Sequence, residues 1–124
     1  MANIKTFKEL KVWVKAHELV LGVYLITKKF PFDERYALIQ QLRRAAVSIA
    51  SNIVEGFSRL SVKESLHFYN IARGSLEETK YQLLIAKDLE YMPVEVYEKI
   101  INQCDEVGKM LNAWVQSQIK NSRA

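Results

Sequence analysis

The stretch Gln41–Gly56, QLRRAAVSIASNIVEG, decides how this chain is read. Leu42, Ala45, Ala46, Ile49 and Ile53 recur at three- and four-residue steps, the spacing of one helical face. The opposite face carries Gln41, Arg44, Ser48, Asn52 and Glu55. An exposed helix face is ordinarily rich in Lys and Glu, which lose little rotamer freedom in a helix. Here small side chains and side chains that seek hydrogen-bond partners take their place. Such a helix is expected to pack on more than one side. Arg44, Ser48, Asn52 and Glu55 therefore read first as a buried or interfacial polar network that sets the register of helices or subunits. A polar groove that binds a ligand is the alternative.

Upstream of this stretch, Lys8, Lys11, Lys15, Glu18, Gly22 and Lys29 fall on one narrow stripe of a first helix, expected over residues 7–29. Nearly everything else on it is apolar. Trp13, Ala16, Val20, Val23 and Tyr24 form one strip, Leu10, Val14, Leu21 and Leu25 a second, and Val12, Leu19 and Ile26 a third. A helix that faces only its own core needs an apolar arc of little over ~100°. This one has about twice that, so another chain or a ligand is expected to cover the surplus. His17 projects between the strips and reads as a hydrogen-bonded interface or core histidine, and Trp13 joins it as a candidate for an oligomer interface. Pro31 stops the first helix, and Asp33 is a good N-cap for the second, over 33–56, which Gly56 is expected to end in the left-handed conformation.

Downstream, Ser61-Val-Lys-Glu64 matches the capping box that opens a third helix, 61–90. Pro93 suits the first position of a fourth, 93–119. There Tyr97, Ile100, Cys104, Val107, Leu111 and Trp114 make a strict heptad seam, the mark of near-parallel packing. Four long helices with short links predict a single all-α domain over residues 1–124, an up-down-up-down antiparallel four-helix bundle. The four Gly and two Pro in 124 residues leave little chain for turns, consistent with that fold.

The motifs exclude more chemistry than they suggest. Glu64-Ser-Leu-His67 is one half of a di-iron motif, but His17, the only other histidine, lacks the glutamate three residues before it. His17-Glu18 begins like a zinc-protease motif whose second histidine is replaced by Leu21. Cys104 on the heptad seam reads as a small buried hydrophobe. Arg73 with Glu77 reads as a member of the polar network or a surface pair. No phosphate loop or nucleophile elbow is present, so neither enzymatic activity nor a cofactor or metal is expected. One cysteine, early charges that interrupt any leader-like run, and no apolar run near ~20 residues predict a soluble cytoplasmic protein with no membrane contact.

The charge is uneven. Residues 1–63 hold 11 Lys/Arg against 5 Asp/Glu, and residues 64–124 hold 7 against 9. A basic half suits nucleic acid, or simply keeps a protein in solution.

The segments FKELKVWVKAHELVLGVYLITKKFP, RRAAVSIASNIVEG and SLHFYNIARGSLEETKYQLLIAKDL resemble one bacterial family across residues ~7–115. Its members are four-helix-bundle proteins encoded in intervening sequences of large-subunit ribosomal RNA genes. Related to them is the accessory variability protein of diversity-generating retroelements. The resemblance implies a homopentamer, in which five copies of the +4 chain carry a formal charge of about +20. For the retroelement relatives it also implies binding of nucleic acid and of a reverse transcriptase. The expected function is a non-enzymatic oligomer that binds RNA or DNA through phosphate contacts. Lys8, Lys11 and Lys15 lead the contacts, with Arg43, Arg44, Arg59 and Lys63 behind them. The alternative is a scaffold or accessory subunit that docks another protein and touches nucleic acid little.

Overall fold

The computed structural model describes residues 4–123, and its first helical turn closes on itself. The Thr6 hydroxyl accepts the Lys8 N–H (3.2 Å) and the Glu9 carboxylate accepts the Thr6 N–H (2.9 Å), a capping box around the 3-10 turn Phe7–Glu9. These backbone bonds, that from Thr6 first and that from Lys5 second, hold the Glu9 carboxyl below its ordinary value. Leu10 then turns extended (ψ 119°) and buries its side chain, so the first α-helix, α1, is Lys11–Thr27 rather than a continuous helix from Phe7.

The second boundary also differs from expectation. Asp33 lies in a separate 3-10 turn, Phe32–Glu34, and α2 (Leu38–Phe57) starts after Ala37, without a side-chain cap. The turn is anchored from outside: Tyr91 donates its hydroxyl to the Glu34 carboxylate (2.7 Å), and buried Phe30 packs against the Tyr91 ring (5.5 Å between centroids). Gly56, the second-last residue of α2, does not take the left-handed conformation expected of it, and no described glycine has positive φ. What Gly56 provides is space, because a Cβ there would overlap the Tyr69 ring.

Ser61 does cap α3 (Val62–Asp88), its hydroxyl accepting the Glu64 N–H at 3.1 Å. That helix ends two residues before Glu90. Glu90 takes the left-handed conformation (φ 62°), and the Tyr91 N–H reaches the Ala86 carbonyl (2.9 Å), closing the helix end. The fourth helix, α4, is Val94–Arg123.

Each helix packs against two others. α1 lies between α2 and α4, and α3 lies between the same two, so α1 and α3 stand diagonally opposite, as do α2 and α4. This is a four-helix bundle, and the described residues contain no strand. Leu19 and Val23 of α1, Leu42, Ile49 and Ile53 of α2, Leu83 of α3 and the Cys104–Val107–Leu111 seam of α4 fill its centre. Each large side chain buried there contributes roughly 1.5–3 kcal/mol. The α2–α3 contact is the most extensive, because small residues let the two backbones approach.

Candidate nucleic-acid interface

Of the three lysines expected to lead the contacts, Lys15 sits at the seam between α1 and α4. Lys15 lies 3.3 Å from Glu106 on α4 and 3.7 Å from Glu18 one turn on. The hydrogen bond and charge of Glu106, then the charge of Glu18, raise the Lys15 pKa. A lysine held by two carboxylates is a poor phosphate ligand. Lys8 and Lys11 are exposed, and neither lies within 4 Å of a carboxylate among the described residues.

The arginines of α2 divide in the same way. Arg43 turns inward: its Nε donates to the Thr27 hydroxyl (2.8 Å) and its guanidinium lies 4.6 Å over the Tyr24 ring. Thr27 is itself buried and donates to the Val23 carbonyl (2.7 Å), so Arg43 locks α2 onto the last turn of α1. Arg44, one residue on, is exposed and has no carboxylate within 4 Å among the described residues. Arg59 is half engaged, 3.6 Å from Glu55 and 4.3 Å over the Phe68 ring. It shares a 590 Å³ groove at the start of α3 with Lys63 and His67, but Glu64 lines the same groove and offsets their charge.

The polar stripe of α2 is split. Ser48 meets Ser75 of α3 (2.7 Å between hydroxyls), and Asn52 donates to the Ser48 carbonyl (2.8 Å) and hydroxyl (3.0 Å). This middle part joins α2 to α3 within one chain. Arg44 and Glu55 lie exposed at the ends of the stripe and take no part in it. Arg73 bonds Asn112 (3.2 Å) while Glu77 pairs with Lys80 (3.6 Å), so the Arg73–Glu77 pair expected from their spacing is not formed. His17 is exposed, not a core residue, because its ring stacks outside the bundle on half-buried Trp13 (5.0 Å, 8° between planes).

Burial pushes the Cys104 thiol up to about 12, leaving almost no thiolate at neutral pH. Among the described residues no three His, Cys, Asp or Glu side chains converge as a metal would need. Among the described residues, too, no helix is long and apolar enough to cross a membrane.

One set of groups escaped the sequence reading. Residues 19–54 hold five cations, Lys28, Lys29, Arg35, Arg43 and Arg44, against two acids, Asp33 and Glu34. Glu34 is occupied by Tyr91. Lys28, Lys29 and Arg35 are exposed around the α1–α2 connection, and Phe32 and Tyr36 stand out of it beside them. The available signal was Phe-x-x-Arg-Tyr in a connection, where aromatics have no core to fill.

The 23S rRNA-intervening sequence proteins match residues 8–113, which take in α1, α2, α3 and the first two thirds of α4. The chain belongs to that family. Among solved structures, a crystal structure from Bacteroides thetaiotaomicron VPI-5482 superimposes with a TM-score of 0.76 at 29% identity. It covers 84% of this chain and 97% of its own, and is described as a protein with unknown function from the S23 ribosomal protein family. Neither the family nor that relative is described as an enzyme. No curated protein matches the sequence.

Proposed function

We propose that this family member is a non-enzymatic, cytoplasmic oligomer that binds RNA or DNA through phosphate contacts, without reading base sequence. The observation that carries the reading is the cation surplus of residues 19–54, five Lys/Arg against Asp33 and Glu34, in which Lys28, Lys29, Arg35 and Arg44 have no carboxylate within 4 Å among the described residues. Unpaired surface cations attract a polyanion and release its condensed counterions. The contacts assigned are Lys28, Lys29 and Arg44, with Lys8, Lys11 and Lys63 in support. Lys15, Arg43 and Arg59 are held by their neighbours and contribute less.

Assembly multiplies this charge. Val14, Leu21 and Leu25 stand exposed on α1, beside a 450 Å³ groove that Leu21 and Leu25 line with Val96 and Ile100 of α4. An apolar strip of this kind on a helix is the surface that a further copy of the chain would cover, and family resemblance suggests five copies. The same strip favours the second reading, a scaffold that docks a partner protein such as a reverse transcriptase.

The test is binding of the purified protein to labelled RNA and duplex DNA across a salt series, with its mass measured in solution. Micromolar binding that weakens steeply with salt is the expected result. No binding at low salt overturns the nucleic-acid reading and leaves the scaffold.

A further inference from the structure

We infer that the α1–α2 connection is a base-stacking platform, so that the nucleic acid this protein prefers is single-stranded. The inference rests on the nucleic-acid reading above. Phe32 is 73% exposed and Tyr36 77% exposed, and the Arg35 guanidinium lies 3.6 Å over the first ring and 4.6 Å over the second. Arg35 braces both rings from one side and leaves most of their surface open. Large aromatics held outside a fold, and ordered there by a cation, are poised for a partner.

The surroundings select which partner. Lys28 and Lys29 precede the platform in the chain, exposed and free of any carboxylate within 4 Å among the described residues. An apolar protein surface laid on the rings would strip water from these lysines and from Arg35 without replacing it. A single strand satisfies both kinds of group, with bases on the rings and phosphates on the cations. In a duplex the base faces are already stacked on each other and are closed to Phe32 and Tyr36.

The platform is held still from beneath, as a stacking surface needs to be. The Tyr91–Glu34 hydrogen bond and the buried Phe30 tie the turn to the α3–α4 connection, and Arg43 ties the last turn of α1 to α2. Neither tie uses Phe32, Arg35 or Tyr36.

The experiment compares binding of labelled oligo-dT, an abasic oligonucleotide of equal length and a duplex of equal length. The proteins are the unmodified chain, the Phe32→Ala/Tyr36→Ala variant and the Phe32→Leu/Tyr36→Leu variant, which keeps apolar bulk but no ring. The unmodified protein is expected to hold oligo-dT about tenfold or more above the abasic strand. Both variants should lose that preference and keep their salt dependence. Equal affinity of variant and unmodified protein for oligo-dT overturns the platform alone, as does a fall in subunit number in the variants, which would make the rings a subunit contact. Absence of binding by the unmodified protein to all three probes overturns the platform together with the reading it rests on.

Discussion

Two basic regions on this chain look alike as sequence and differ as structure. Lys8, Lys11 and Lys15 recur along one face, an arrangement that reads as a stripe of positive charge. In the bundle that stripe runs beside α4, where Glu106 meets Lys15. The region around the α1–α2 connection is less regular in sequence, yet Lys28, Lys29, Arg35 and Arg44 meet no carboxylate there among the described residues. Counting cations along a helix therefore misjudges a surface. What matters is which acids the neighbouring helix brings alongside.

Charge reversal tests the comparison most severely. Lys28→Glu/Lys29→Glu/Arg44→Glu should weaken oligonucleotide binding about a hundredfold at low salt and flatten the salt slope by about two. Lys8→Glu/Lys11→Glu/Lys15→Glu should cost about tenfold less than that. Equal losses in the two variants, measured by fluorescence anisotropy, would erase the distinction between the two regions.

Arg43→Ala separates a structural cation from a binding one. Loss of the bond to Thr27 and of the contact with Tyr24 should destabilise the fold by about 1–2 kcal/mol in urea titration. Arg44→Ala should leave the midpoint where it is and weaken nucleic-acid binding instead. If the two substitutions behaved alike, the division between neighbouring arginines would be wrong.

A smaller effect is expected at the left-handed residue. Glu90→Gly relieves a backbone conformation that costs a non-glycine residue about 1 kcal/mol, offset in part by the freer unfolded chain. A stabilisation of about 0.5 kcal/mol is the expected shift, with no change in binding. A destabilised variant would mean that the Glu90 side chain supports the connection after all.

The smallest effect concerns the tie beneath the platform. The hydrogen bond to Glu34 raises the Tyr91 pKa above its ordinary value of 10.0, so its contribution is whole below that pH and is lost as pH climbs through the raised value. Tyr91→Phe should therefore narrow the difference between variant and unmodified protein only on the alkaline limb. It should also speed amide exchange at residues 32–37. Unchanged exchange there would show that Phe30 alone holds the turn.

Local chemistry made several features readable in advance. Ser61 was recognisable as a cap because its partner, Glu64, is three residues away. The α4 seam was recognisable because burial on one side of a helix imposes a heptad. The middle of the α2 stripe drew notice through its composition, although its partner Ser75 lies 27 residues on and could not be named. The two helix starts misread at Phe7 and Asp33 share a cause. In each, apolar side chains with a suitable acid look like a helical turn, and the backbone spends them on a 3-10 turn before the α-helix begins.

By itself, then, the sequence determined the four helices, their apolar faces, the bundle they form and the family to which the chain belongs. Each of these follows from periodicity, capping or a run of adjacent residues, all of which act over a few positions. The tertiary structure alone decided which cations are free. Glu106 reaches Lys15, Thr27 holds Arg43, and Tyr91 engages Glu34 across 57 residues. These pairings depend on the register at which helices dock, and that register is set by core packing, which does not depend on the charges lying above it.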